Sequence, residues 1–155
     1  MSLIMKLALS VRRHVIFTGP SASGRSLLVS NVVKEIEEKG RAVSSLIPFS
    51  KLTTGETAQA QILRCLERIS VKYLQPQGRT HGVIVIDRMN HPITPEASEV
   101  TRSLFTGQGL RTAPTYQQMP TKNMSIIAIS SLEPINGAYH RIHTPIHGTR
   151  YKNNF

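Results

Sequence analysis

Short apolar runs alternate along this chain with segments whose apolar residues are spaced three or four apart. Runs rich in β-branched residues are typical of buried strands, whereas the wider spacing is typical of helices that pack one face on a core. Four runs are predicted to be strands: His14–Thr18, Val43–Phe49, Gly82–Asp87 and Ser125–Ser130. Because Pro48 interrupts the second run, we expect that strand toward a sheet edge.

Four segments with helical spacing flank these runs. A short helix is predicted over residues 3–11, and a longer one over Arg25–Lys39, with Gly40 as its stop signal. A Thr53–Glu56 capping box then predicts a third helix that continues to Tyr73. The apolar face of this third helix would consist of Ile62, Leu66, Ile69 and Tyr73.

The fourth predicted helix begins at Thr94 and Pro95, residue types favoured at an N-cap and a first helical position. Its apolar face would consist of Ala97, Val100, Leu104 and Phe105. Residues 75–79 are predicted to be a linker. The order β-α-β-α-β-α-β predicts a three-layer α/β fold, with a mainly parallel sheet flanked by helices and a ligand crevice at the carboxyl ends of the strands.

A glycine-bounded loop joins the first strand to the second helix and fits the phosphate-binding template GxxxxGK followed by Ser or Thr. Its residues are Gly19, Pro20, Ser21, Ala22, Ser23, Gly24, Arg25 and Ser26. Such a loop surrounds a polyphosphate with backbone N–H groups at a helix N-terminus. Arg25 replaces the usual lysine with a larger planar group, so binding could persist while hydrolysis is weakened. The alternative is a Gly/Ser-rich turn without a ligand.

The third predicted strand ends in an aspartate, as in a Walker B segment. Asp87 would hold Mg²⁺ through water beside Ser26, so we expect these two residues to converge on one ion. Arg88 follows where many ATPases place a second acidic residue, which predicts that the catalytic base is missing. The alternative is that Asp87 caps the following turn.

The chain carries 19 Lys and Arg against 9 Asp and Glu, for a net charge of +10. Such an excess suits a polyanionic partner, but the basic residues are scattered and aromatic residues are few, so no nucleic-acid platform is expected. Cys65 lies in a helical pattern where it would face the core, and the lone cysteine suits a reducing compartment. No apolar run is long enough to span a bilayer, so we expect a soluble intracellular protein without a membrane partner.

The carboxyl-terminal tail is rich in Pro, Gly and His and has little periodicity. His140, His143 and His147 could ligate a metal such as zinc, although a polar loop is the simpler interpretation. No serine or cysteine lies in a pattern typical of nucleophilic catalysis.

The residues that carry these motifs also resemble one AAA+ module of a dynein heavy chain, most nearly the third in the motor ring. The likeness covers Val15–Ser26, Phe49–Gln61, Val83–Pro92 and the tail. The run Ile-Asp-Arg-Met-Asn-His-Pro is similar to the family's strand and Asn-Met-Pro turn. Further agreement lies in Glu99–Leu104, Tyr116, Ile126–Pro134 and Gly148–Phe155.

The resemblance implies a P-loop NTPase of the AAA+ type that binds ATP or ADP with Mg²⁺, with weakened or absent hydrolysis. It implies neighbouring AAA+ modules as partners, microtubules as an indirect partner, and a place in the cytoplasm, the cytoskeleton or a cilium. Residues 1–155 would be a single domain that lacks the family's last core strand and helical lid. Arg150 would act on a neighbour's nucleotide, or be a structural arginine, and a sensor residue would fall within Ser131–Glu133.

A second functional class stays open. A non-catalytic structural or interaction domain would keep the same fold and use its basic surface to contact an acidic partner, and salt-sensitive binding without nucleotide would distinguish it. A small P-loop kinase is a more distant alternative, since no arginine cluster typical of a lid is present.

Overall fold

The computed structural model describes residues 2–70, 72–78, 81–112, 117–132, 134–135 and 138–139. The helices in this part of the chain are α1 Ser2–Ser10, α2 Arg25–Glu38, α3 Gly55–Leu63 and α4 Pro95–Phe105. Its strands are β1 Val15–Pro20, β2 Val43–Pro48, β3 Leu66–Arg68, β4 Leu74–Pro76, β5 Gly82–Asp87, β6 Leu110–Thr112, β7 Gln117–Met119, β8 Met124–Leu132, β9 Pro134–Ile135 and β10 Ala138–Tyr139.

Four parallel strands form the central sheet in the order β1-β8-β5-β2. Val85 in β5 lies between Ile127 in β8 and Leu46 in β2. Because all four strands run the same way, their carboxyl ends meet at one edge, which includes Pro20 and Asp87. The predicted α/β class with a mainly parallel sheet is therefore confirmed.

Alternate residues of the two central strands face two hydrophobic clusters on opposite sides of the sheet. On one side α1 and α2 cover Val83, Val85, Ile127 and Ile129. On the other side α3 and α4 cover a cluster that includes Ile84, Ile86, Ile126 and Ala128. The result is the predicted three-layer arrangement, in which residues 82–86 of β5 and 124–130 of β8 are buried.

Several local predictions match the structure closely. The bounds of β5 are those predicted, and β2 lies at the sheet edge with Pro48 as its last residue. The helix α2 ends one residue early, and Gly40 follows with a left-handed φ of 63°, the conformation that a glycine adopts most readily after a helix. The helix α4 has Thr94 as N-cap and Pro95 as its first residue.

The predicted helix that continues to Tyr73 is wrong beyond Leu63. The chain turns there, and β3 pairs with β4 as an antiparallel hairpin, which buries Leu66 and Leu74 against the α3–α4 side of the core. The N-cap is Thr54, whose hydroxyl accepts from the N–H of Thr57 at 3.2 Å, not the predicted Thr53. The propensity for a long helix is overridden by this tertiary burial.

Two further expectations change with the hairpin. Residues 75 and 76, predicted as linker, belong to β4 and are buried. Cys65 lies in the turn after α3 and not on a helix face, although it is half-buried and packs against the same core. Tyr116 lies outside the described residues. None of the helices described above is long and apolar enough to cross a bilayer.

Candidate functional site

The loop between β1 and α2 has left-handed backbone at two positions. Gly24, the N-cap of α2, has φ of 76°, and Ala22 has φ of 61°. Glycine adopts this conformation freely, whereas the Cβ of an alanine makes it costly. Left-handed residues turn consecutive N–H groups of such a loop toward one side, as in anion-binding nests. The predicted phosphate loop thus has left-handed residues directly before the N-terminus of α2.

The two predicted magnesium ligands lie together at the carboxyl edge of the sheet. Ser26, in the first turn of α2, places its hydroxyl Oγ 3.4 Å from Oδ1 of Asp87 at the end of β5. Hydroxyl and carboxylate oxygens are the ligand types that Mg²⁺ prefers, so the pair fits that ion. That Ser26 and Asp87 ligate the ion stays a prediction. The two side chains lie close enough together to contact one ion, as that prediction requires.

Arg25, at the lysine position of the loop, turns its guanidinium toward the protein. Its Nη2 donates to the carbonyl of Pro20 at 2.9 Å and lies 3.4 Å from the hydroxyl of Ser131, and its Nη1 donates to the carbonyl of Ser130. The side chain passes Gly19, where the position of an added Cβ would be 3.5 Å from Nη1. The planar fork therefore bridges the ends of β1 and β8.

The turn after Asp87 directs the next residue into solvent. Arg88 is exposed with a left-handed φ of 57°, and the N–H of Met89 donates to the carbonyl of Ile129 at 2.8 Å. The position that carries a second acid in many ATPases is thus occupied by an exposed cation. Nothing next to Asp87 in the sequence supplies a carboxylate that could polarise a water.

Asn90 was not predicted as part of the site. Its amide Nδ2 donates to the carbonyl of Ser131 at 2.8 Å, and its Oδ1 accepts from the N–H of Ser131 at 3.0 Å. Both hydrogen bonds join the turn after Asp87 to the end of β8. The sequence does show an amide side chain three residues after the strand-end aspartate. That Asn90 bonds to Ser131 becomes apparent only when β5 and β8 are known to be neighbours.

Several candidate residues fall outside this description. His140, His143, His147 and Arg150 lie outside the described residues, as does Glu133 of the predicted sensor range. Within the described ranges, no group of three or more His, Cys, Asp or Glu side chains is arranged to hold a metal ion. Ser131, the first residue of the sensor range, lies at the end of β8 in contact with Arg25 and Asn90.

A glycine-bounded strand-to-helix loop, with a serine and a strand-end aspartate at the carboxyl edge of a parallel sheet, defines the P-loop NTPase class. Within it, the family described as "P-loop containing dynein motor region" matches residues 1–130, and the chain belongs to this family. The chain is also 30% identical over 89 residues to dynein axonemal heavy chain 6 of Homo sapiens. The matched segment is 57% of this chain and spans 2% of that heavy chain. The prediction that this chain is a dynein AAA+ module is confirmed.

Proposed function

We propose that this chain is a nucleotide-binding AAA+ module of a dynein-like microtubule motor, which binds ATP or ADP with Mg²⁺ and hydrolyses it weakly or not at all. The observation that carries the proposal is the 3.4 Å approach of Ser26 to Asp87 beside the glycine-bounded loop. Membership of the dynein motor family supports it independently of the geometry.

Each part of the site would have a separate task. The N–H groups of residues 19–24 and the N-terminus of α2 would hold the phosphates. Ser26 would ligate Mg²⁺, and Asp87 would hold the ion through water. When bound, the metal would neutralise phosphate charge. The side chains described here would bind and orient the nucleotide.

Weak hydrolysis follows from two substitutions that the structure describes. Arg25 donates to main-chain carbonyls, so some of its hydrogen-bond donors are occupied before a phosphate arrives. Arg88 is exposed at the position of the second acid, so no carboxylate there can orient an attacking water. Loss of a positioned base costs an ATPase orders of magnitude in rate, whereas binding depends mainly on the loop.

The partners follow from the family. Neighbouring AAA+ modules of a longer chain would surround this one in a motor ring, and microtubules would be reached indirectly through other parts of the motor. The name of the human relative is that of an axonemal heavy chain, which supports a place in a cilium or flagellum over other parts of the cytoskeleton.

The test is equilibrium binding of a fluorescent ATP analogue with and without Mg²⁺, competed by unlabelled ATP and by GTP. We expect competable, Mg²⁺-dependent binding. Ser26→Ala should weaken the Mg²⁺-dependent part about tenfold, because it removes a ligand of the ion. Ser30→Ala is the matched control: an exposed serine one turn further along α2, outside the loop and without a predicted metal role, expected to bind as the natural chain does. Absence of competable binding, or equal effects of both variants, would contradict the proposal.

The bridge made by Arg25 also favours a second candidate, a non-catalytic structural module. The guanidinium of Arg25 donates to the carbonyls of Pro20 and Ser130, so it has hydrogen-bond partners within the protein without a phosphate. In that case the folded chain would fail to bind nucleotide and would instead bind an acidic partner in a salt-sensitive way. Cosedimentation with microtubules at low and at physiological salt, without nucleotide, measures this directly.

A further inference from the structure

A cavity lies at the amino-terminal edge of the sheet. Its volume is about 340 Å³, and it is enclosed by α1, the last turn of α2 and the start of β5. We call it the amino-edge pocket and define it by the charged and titratable side chains that line it: Lys6, Arg12, Glu35, Lys39, Arg41 and His81. Its volume is at the small end of the range of ligand sites.

The amino-edge pocket is separate from the phosphate loop. His81 precedes β5, whereas Asp87 ends it. A strand of this length spans about 16 Å at roughly 3.3 Å per residue. A ligand in the pocket would therefore not contact the loop or the predicted magnesium ligands.

One carboxylate pairs with two of the four cations in the pocket. Oε1 of Glu35 lies 2.6 Å from Nζ of Lys39, and Oε2 lies 2.5 Å from Nζ of Lys6. Hydrogen bonds from Lys39 and then Lys6 lower the pKa of Glu35 to about 2. Both carboxylate oxygens are thus occupied, and the charges of the two arginines are left without an anionic partner among the described residues.

Arg12 and Arg41 keep unused hydrogen-bond donors. Nη1 of Arg12 donates to Oδ1 of Asn123 at 2.9 Å, which leaves the other N–H groups of that guanidinium available. The side chain of Arg41 makes no hydrogen bond within the described part of the chain and is exposed. Cations are favourable at helix C-termini, which accounts for Lys39, but Arg41 lies beyond the end of α2.

His81 adds a buried polar atom without a partner. Its Nε2 lies 3.0 Å from the buried hydroxyl of Ser125, whereas its Nδ1 is buried and has no hydrogen-bond partner among the described residues. Burial, and then the charge of Arg12, lower the pKa of this imidazole. The contact with Ser125 holds the ring at the wall of the pocket, so its resonances report on a ligand bound beside it.

We propose that the amino-edge pocket binds the phosphate group of a small ligand, through Arg12 and Arg41. A carboxylate offers two oxygens and one charge, whereas a phosphate offers three terminal oxygens and close to two charges. Two guanidinium forks, that of Arg12 from the turn after α1 and that of Arg41 from the segment before β2, exceed what one carboxylate can satisfy and match a phosphate.

The test is a residue-resolved NMR titration of the full chain with inorganic phosphate and with pyrophosphate. We expect saturable shifts at His81 and Ser125. Arg12→Gln and Arg41→Gln should each weaken this binding about tenfold, because each removes a charge-assisted contact. Arg13→Gln is the matched control: the same change at an exposed neighbour that does not line the pocket. Shifts at Ser21–Ser26 report separately on the loop.

Three outcomes would overturn the proposal. Shifts confined to Ser21–Ser26 would leave the pocket without a ligand. Equal losses in Arg13→Gln and Arg41→Gln would mean unspecific attraction to a basic surface. Equal saturation at His81 by acetate or glutamate would exclude a preference for phosphate. If Arg12→Gln unfolds because it loses its bond to Asn123, Arg41→Gln decides, since the Arg41 side chain makes no hydrogen bond within the described residues.

Discussion

The two edges of the central sheet use their arginines in opposite ways. At the carboxyl edge, Arg25 is directed at main-chain carbonyls and joins β1 to β8. At the amino edge, Arg12 and Arg41 line a cavity and keep donors unused. The edge with the phosphate-loop sequence thus has its cation occupied, and the edge without a recognised motif has cations available.

This contrast shows what net charge does and does not indicate. A charge of +10 predicts an anionic partner somewhere, but the contacts of each basic side chain decide where that partner can bind. Each edge also holds non-glycine residues with left-handed backbone: Ala22 and Arg88 at the carboxyl edge, and Arg12 and Asn123 at the amino edge. Changes at Gly82, Gly19, Arg25, Glu35 and Ala22 test how different the two edges are.

The largest effect is expected from two matched glycine substitutions. In Gly82→Ala at the amino edge, the new Cβ would lie 2.2 Å from Cγ of Pro76, a rigid ring, so we expect a loss of about 2–3 kcal/mol in the free energy of unfolding. In Gly19→Ala at the carboxyl edge, the nearest atom is 3.5 Å away, and we expect a change within about 0.5 kcal/mol. Urea unfolding measures both, and equal losses would contradict this difference in packing.

Arg25 should matter more for stability than a usual phosphate-loop cation. Arg25→Ala removes the hydrogen bonds to Pro20 and Ser130, so we expect the free energy of unfolding to fall by about 1–2 kcal/mol. One ammonium group in Arg25→Lys cannot span both carbonyls and can turn toward the phosphates, so nucleotide affinity should rise severalfold over the natural chain. Urea unfolding and analogue binding measure these effects. Unchanged stability in Arg25→Ala would show that the bridge contributes little.

Glu35 provides a pH-dependent test of the amino edge. Its folded pKa of about 2 is below the ordinary 4.5, so its ion pairs stabilise the fold above pH 4.5 and this contribution is lost as pH falls toward 2. The Glu35→Gln variant should therefore lose less stability than the natural chain as the pH falls through that range. The difference should be small because the Glu35 carboxylate is exposed. The control is Glu38→Gln, whose carboxylate forms no ion pair among the described residues.

Glu35→Gln also tests the affinity of the amino-edge pocket for phosphate. Glu35→Gln releases Lys6 and Lys39 from their carboxylate and raises the net charge of the amino-edge pocket, so affinity for inorganic phosphate should increase about threefold. The NMR titration of His81 measures it. A decrease would indicate that Glu35 orients the lysines for the ligand and does not compete with it.

The smallest effect concerns the backbone of the loop. Ala22→Gly removes the strain of a left-handed alanine but increases the freedom of the unfolded chain, and we expect a net gain of about 0.5 kcal/mol. Ala60→Gly, on the exposed side of α3, should instead lose about 1 kcal/mol. Thermal unfolding distinguishes the two signs. A loss in both variants would mean that the loop at Ala22 is not strained.

The parts of the fold that sequence predicted well are those fixed by local residues. The run from Gly82 to Asp87 has an uninterrupted apolar centre and clear ends, and Gly40 marks the end of α2. The prediction of a helix to Tyr73 was wrong because Leu66 and Leu74 lie on the two strands of an antiparallel hairpin. From there they pack on core residues that are distant in the sequence. Spacing of apolar residues alone does not distinguish that hairpin from a helix face.

The candidate site likewise contains one contact that the sequence predicted and others that it did not. The approach of Ser26 to Asp87 was predictable because both follow parallel strands whose ends meet at one edge. The contacts of Arg25 were not, since its partner Ser130 is 105 residues away and belongs to a strand whose neighbours the sequence does not state. The amino-edge pocket likewise combines side chains from α1, α2 and β5, and no local motif connects them.

The double hydrogen bond between Asn90 and Ser131 has a mechanical consequence. Both bonds attach to the same residue of β8, so a force that slides this strand past β5 loads them in parallel, and they must break together. Arg25 holds the adjacent carbonyl of Ser130 from the other side. The end of β8 is thus a stiff link between the loop and the turn after Asp87, and a displacement of one of them is transmitted directly to the other.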